Sequence, residues 1–284
     1  MTYYAARLSF NKSSQTSITQ EVSKEPPLIL AERLLITGPE PSAAPRIRRH
    51  VKGRIDFYIG NFLTEGSRLI AFKIGKKKIR PRGTYSKKIF QEINEDHYPA
   101  NTVIWSAERQ IILIEKPKKD QMSVRSIINS LQDYLNGLLL VYGYAVSIEL
   151  LTHKSTFWEV IEKYEKIYNI EFTLFAPNFL DFSKSVRELL KGLDEDYNAN
   201  ETSMKLSNKG GNLKIRKDDN MVTKFLEWIT NGAGRWSATV ESDGKKIPVS
   251  SESGSKVLNK DLSSYDVETA KEFSKKAKDL EDEP

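Results

Sequence analysis

The chain contains no cysteine. Composition therefore excludes disulfide staples, thiolate metal sites and cysteine nucleophiles, and a reducing cytoplasm is the expected setting. Histidine is nearly as scarce. His50, His97 and His153 lie far apart, none with an Asp or Glu at ligand spacing, so no zinc site is expected. The longest apolar run, Leu138–Tyr142, falls well short of the ~20 residues that a membrane helix needs, so no membrane insertion is expected. Met1–Phe10 has no basic-then-apolar leader, so no secretory signal is expected either. No fixed-period repeat is present.

What is present is enough for packed structure. The 284 residues are 39% hydrophobic and 10% aromatic, which suits one large or two modest domains. Charge is the unusual property. Of the 44 Lys and Arg residues, 14 lie between Arg46 and Lys88, with only Asp56 and Glu65 against them, a formal +12 in a chain of net +6. A cationic block in a folded chain repels itself unless a polyanion is its partner. Nucleic acid is the commonest such partner, because each phosphate contact releases condensed counterions.

Hydrophobic periodicity predicts the elements. Tyr3–Phe10 reads as an edge strand, Leu28–Ile36 as either strand or helix, and Gly38–Pro45 as a non-helical connection. Ile55, Phe57, Ile59 and then Ile70, Phe72, Ile74 alternate with their neighbours, predicting antiparallel strands across Thr64-Glu65-Gly66. Thr102–Ser106 and Gln110–Glu115 form a second pair, with the basic, turn-rich stretch Gly75–Lys88 between the pairs. Val124, Ile127, Ile128, Leu131, Leu135 and Leu138 mark a helix capped by Ser123. Tyr144–Leu151 is a strand; Thr156 and Glu159 have capping-box spacing ahead of a second helix; Ile170–Phe175 is another strand. The order β-β-α-β-α-β suits an α+β fold, with mixed or antiparallel sheets backed by amphipathic helices. Further on, Val186–Leu193 suggests a helix, Leu213–Arg216 a short strand and Met221–Ile229 a helix ended by Asn231-Gly232. Trp236–Val240 and Ile247–Val249 flank the hairpin turn Asp243-Gly244. Composition divides the chain into a basic, strand-rich nucleic-acid-binding domain (1–119), an α/β domain (120–249) and a charged helical tail (250–284).

The binding candidates are Arg46, Arg48, Arg49, Lys52 and Arg54, then Lys76, Lys77, Lys78, Arg80 and Arg82, then Lys87 and Lys88. The first two groups bracket the predicted hairpin at one end. Pro81 and Gly83 place the second group in a loop. Lys116, Lys118 and Lys119 extend the patch or merely solubilise a turn. Tyr85 is the one aromatic interleaved, too few for a dedicated single-strand binder, so duplex backbone contact is expected. Catalytic signals are weak. Asp56, Glu115 and Lys116 only gesture at a metal nuclease, since adjacent Glu and Lys on a strand point to opposite faces. Gly232-Ala233-Gly234 follows a helix and precedes a strand, the reverse of a phosphate-binding loop. Asp194, Glu195 and Asp196 lack the spacing of a calcium loop. Trp105, Trp158, Trp228 and Trp236 sit at core positions. No catalytic residue, cofactor or metal is assigned.

Several segments carry a resemblance. The strand Arg68–Ile74, the pair Thr102–Glu115, the helix from Ser123, Val146-Ser147-Ile148-Glu149-Leu150-Leu151 ahead of Thr152-His153-Lys154-Ser155-Thr156, and Phe172-Thr173-Leu174-Phe175 together resemble the RexA-like phage-exclusion family. The likeness spans residues 50–180. It implies a two-domain, dimeric DNA-binding protein without an active site of its own, acting with a membrane-protein effector in defence against phage. The expected function is sequence-nonspecific binding of double-stranded DNA, with RNA as another ligand the charge would accept. The alternatives are a nuclease or RNA-cleaving toxin, and an adaptor whose basic face meets an acidic protein or an anionic membrane leaflet.

Overall fold

A computed structural model describes residues 2–12, 25–38, 57–65, 69–86, 89–175 and 201–259. Strand β1, Thr2–Lys12, is buried or half-buried from Thr2 to Asn11, which demands cover on both faces. It is accordingly a central strand, not the expected edge. Along one side it pairs antiparallel with β7 (Ile111–Glu115). Along the other it pairs in succession with β13 (Val257–Asn259) and β8 (Tyr144–Leu150). From β7 the sheet continues through β6 (Ala100–Ser106) and β3 (Leu69–Gly75) to β2 (Tyr58–Glu65). The hairpin β6–β7 is the one that alternation predicts. β2 pairs with β3 as expected but is shifted along the chain: it runs from Tyr58 to Glu65, so Thr64 and Glu65 pair with Ile70 and Leu69 in the ladder and are not the turn. This sheet takes strands from all three segments that composition separates.

Two helices cover one face. Leu28–Ile36 lies in α1 (Pro27–Thr37), where Pro27 begins the helix at a position whose N–H would have no helical partner. Helix α2 spans Val124–Leu139, and Ser123 Oγ accepts the Ser126 N–H at 3.2 Å, as the predicted cap requires. Ile127, Ile128, Leu131 and Leu135 of α2 join Leu8, Phe72, Trp105 and Ile148 of the sheet in one core. The polar side chains of α2 also matter. Gln132 Oε1 accepts the Ile148 N–H at 2.9 Å, and the Asn136 amide bonds both the N–H and the C=O of Val146. The outer edge of β8 thereby finds partners for backbone groups that would otherwise be orphaned.

The β-β-α-β-α-β run does not stay in one sheet. After β8 the chain enters α3 (Lys154–Lys163) and then β9 (Ile167–Phe175), which belongs to a second antiparallel sheet. Its order is β10 (Glu201–Ser207), β9, β11 (Gly234–Ser242), β12 (Lys245–Ser250). Phe157 of α3 explains the switch: its ring packs on Trp158, Phe172 and Trp236, so α3 is committed to the second core. Helix α4 (Asn220–Thr230) adds Val222, Leu226 and Ile229, and Trp228 Nε1 donates to the Phe175 carbonyl at 3.0 Å. The hairpin β11–β12 turns through Asp243 and Gly244, both at positive φ (52° and 72°), the left-handed pair that a two-residue hairpin needs. The fold is α+β, with four helices among the described residues and three antiparallel sheets. None of these helices is long and apolar enough to cross a membrane.

Two local expectations are corrected. Leu213–Arg216 is no strand; beside it lies only the bridge Asn212–Ile167, and β10 takes the edge of β9. Helix α3 starts at Lys154 with His153 in the cap position and no side-chain cap. Thr156 is already in the first turn, its side chain lying where a Cβ on Gly254 would be. The predicted helices Val186–Leu193 and Asp266–Leu280 lie outside the described residues.

Asp219 caps α4, its Oδ1 accepting the N–H groups of Met221 and Val222. Asp219→Ala should cost about 1 kcal/mol in urea unfolding. Thr156→Ala removes no cap and should cost less.

Candidate nucleic-acid interface

The third sheet is a two-stranded ribbon, and it holds the second basic group. Lys78–Ser86 forms β4 and Ile89–His97 forms β5, so the expected loop is a strand. Its origin is the pairing of β3 with β6. That register ends at Gly75↔Ala100 and resumes without slip at Lys78↔His97, running to Ser86↔Ile89. Leu69–Ser106 is therefore one long hairpin. Its inner half lies inside the sheet and its outer half stands beyond it. The flanking strands stop there: β2 begins at Tyr58, opposite Gly75, and β7 ends at Glu115.

An unbroken register carries the side-chain alternation from sheet to ribbon. In β3 the even positions Ile70, Phe72 and Ile74 face the helical core. Continued outward, the same phase bears Lys76, Lys78, Arg80 and Arg82. One face of the ribbon thus carries a cation at every second residue, about 7 Å apart. The opposite face carries Lys77, Ile79, Pro81, Gly83 and Tyr85 of β4 and Phe90, Glu92, Asn94 and Asp96 of β5. A two-stranded ribbon turns every second N–H away from its partner strand, and at such an edge-facing position a proline such as Pro81 costs no ladder bond.

Acids on β5 temper the charge. Arg82 Nη1 lies 2.9 Å from Glu95 Oε1, and Lys77 Nζ lies 2.7 Å from Asp96 Oδ2, a contact that raises the lysine pKa. Lys78 Nζ reaches Asp120 at 3.7 Å. Exposed pairs of this kind are worth about 0–1 kcal/mol, so phosphate can replace the carboxylates at little cost. Arg80 has no ion pair among the described residues. The +12 count ends at Lys88 and so omits Glu95 and Asp96, which the fold places against the same cations.

The Lys78–Asp120 contact brings the turn after β7 to the ribbon's root. Gln121 builds that corner: its Nε2 donates to the Ala100 carbonyl at 2.6 Å, and its Oε1 accepts the Lys118 N–H at 2.7 Å. Lys116, Lys118 and Lys119 are exposed there, beside the ribbon's base. Tyr58 and Tyr98 stack edge-on at 5.2 Å across the same root. Arg46, Arg48, Arg49, Lys52, Arg54, Lys87 and Lys88 lie outside the described residues, as do His50 and Asp56. Glu115 is buried and accepts the Thr102 N–H at 2.9 Å; it holds β6 to β7. Sequence reasoning missed Phe90, which stands directly opposite Tyr85. The alternation Ile89, Ile93 against Phe90, Glu92 was the available signal.

A second charged cluster ties the two sheets together. Glu149 of β8 is 4% exposed and accepts from Arg125 Nη1 at 3.2 Å and from Arg235 Nη1 of β11 at 2.7 Å. Arg125 also reaches Glu252 at 2.7 Å. Burial pushes the Glu149 carboxyl pKa up, against the pull of the two guanidiniums. Both its oxygens are committed, so its part is to join β8 to β11. No group of three metal-binding side chains occurs among the described residues.

Glu149→Gln should destabilise the chain in chemical denaturation by about 2 kcal/mol. That is less than the ~3–5 of a fully buried pair, because Arg125 and Arg235 are 26% and 44% exposed.

No curated protein and no solved structure matches the chain. A family model does match, over residues 67–278, a span that takes in the ribbon, its root and the second sheet. That span is well over half of the sequence, and the chain belongs to the family described as Domain of unknown function (DUF4747).

Proposed function

We propose that the chain binds double-stranded DNA largely without sequence preference, with the β4–β5 ribbon as its arm. The observation that carries this reading is the row Lys78, Arg80 and Arg82 on one face of a ribbon anchored in the β3–β6 pair. Nine residues per strand reach about 30 Å, close to one turn of duplex. Two strands side by side fit a major groove ~12 Å wide. Backbone contacts from such an arm position the protein and carry no sequence information. The root adds Lys76 and the turn Lys116–Lys119. A role in phage defence, a homo-oligomeric state and a membrane-protein effector belong to the same proposal and rest on the family resemblance alone.

The test is fluorescence anisotropy with labelled duplexes of unrelated sequence, RNA and anionic vesicles across a salt series. Log affinity for duplex should fall with log salt at a slope of about −5, as expected for roughly five to six phosphate contacts. Different duplex sequences should give the same affinity within a few fold. Arg80→Ala with Arg82→Ala should weaken binding to all duplexes alike and make the slope shallower by about 2. A flat affinity between low and physiological salt would sink the proposal. So would vesicle binding without DNA binding.

A further inference from the structure

The outer end of the ribbon carries a feature that phosphate contact does not use. Tyr85 and Phe90 are a directly opposed cross-strand pair, their ring centroids 4.8 Å apart and their planes tilted by 42°. Phe90 is 85% exposed and Tyr85 63%. They lie on the face opposite Lys78, Arg80 and Arg82. Each ring therefore shields only one side of the other. On the root side the next residue of β4 on that face is Gly83, and a Cβ built there meets nothing within 4 Å. Glu92 of β5 stands opposite Gly83 on that face, so bare backbone adjoins the ring pair on the β4 side alone and leaves room beside Tyr85 for a flat group.

We propose that the Tyr85–Phe90 pair is a stacking platform for unpaired nucleobases, so that the arm prefers DNA with a bulge or gap to continuous duplex. The inference rests on the DNA-binding reading and narrows its ligand. Aromatic side chains on a basic element take up bases from their exposed π-faces, without regard to sequence. An intact duplex presents only stacked base edges in its grooves, whereas a bulge offers a whole base. The arm's two faces then divide the work, cations holding the backbone and rings the extruded base. A second copy of the chain is the weaker occupant. The ring pair is small, and Ile79, the next large apolar residue of β4 on that face, lies about 20 Å back along the strand.

The experiment uses the full chain with a continuous duplex, the same duplex with a three-nucleotide bulge, and a bulge carrying 2-aminopurine. Wild type should bind the bulged duplex about tenfold more tightly, within the range that stacking of a base provides. It should also quench 2-aminopurine at the bulge. Phe90→Ala should abolish both the preference and the quenching, while continuous-duplex affinity stays within about twofold. Arg80→Ala with Arg82→Ala should lower both affinities alike and keep their ratio. Equal affinity for the two duplexes, or a preference that survives Phe90→Ala, overturns the platform and leaves duplex binding standing. Binding to neither duplex overturns both readings. A dimer in sedimentation equilibrium that Phe90→Ala dissociates would overturn the platform too, by assigning the rings to a second copy.

Discussion

The register of β3 on β6 is the constraint from which the rest of the molecule follows. Within the sheet it aligns Ile70, Phe72 and Ile74 with Val103 and Trp105 under α1 and α2. Beyond the sheet the same register sets which side chains of β4 share a face. A slip of one residue in either strand would turn every side chain over. Burial of the inner half forbids that slip, since it would expose Phe72 and Trp105 to water. The outer half has no core of its own, and an isolated two-stranded hairpin is marginal in water. Its order is borrowed from the sheet through two short connections, 76–77 and 98–99. Gly75 sits at that junction because a Cβ there would come 2.6 Å from the Pro99 carbonyl.

The electrostatics follow from the same alignment. Counted along the chain, the basic block is uncompensated; folded, its second group faces Glu95, Asp96 and Asp120. The pairs at Arg82 and Lys77 keep a dense row of cations tolerable in the free protein. Being exposed, they contribute little that a polyanion would have to overcome. The tie at Glu149 is of another kind. Its carboxylate is out of water, and the two guanidiniums that satisfy it come from different sheets. Those partners are not readily exchanged. The protein thus separates buried charges that hold it together from charges paired only at its surface.

Much of this was legible in the sequence. The hairpins β6–β7 and β11–β12 announced themselves by alternation and turn chemistry, and α2 and α4 by periodicity; the pairing of β2 with β3 was legible too, though not the bounds of β2. What failed did so for identifiable reasons. β1 read as an edge because its alternation is weak, yet alternation is weak when both faces are buried. The ribbon read as a loop because Lys, Arg, Pro and Gly outweigh Ile79 and Tyr85 in any local propensity, while pairing is decided by the neighbouring strands β3 and β6. Of the proposed site, Lys76–Arg82 and Lys116–Lys119 were found by charge alone. Their convergence at one root depends on Gln121 and Asp120, polar residues with no distinguishing pattern. Phe90 lies just beyond the basic run that ends at Lys88, and only the pairing of β4 with β5 sets it opposite Tyr85.

The treatment of edges bears on what the ribbon is for. At β8 the chain covers an exposed ladder with the side chains of Gln132 and Asn136. It could have treated the ribbon likewise, by ending β3 and β6 at a short turn near Gly75. Instead it extends them, leaves Ile79, Tyr85 and Phe90 in solvent, and still defends the extension against pairing with other strands. Pro81 interrupts the donor row of β4, and charged residues stand along both strands, devices that discourage edge-to-edge association. Exposed apolar groups on an element so protected against its own kind are hard to ascribe to packing. They are consistent with a ligand that offers flat apolar surface together with negative charge, and nucleic acid supplies both.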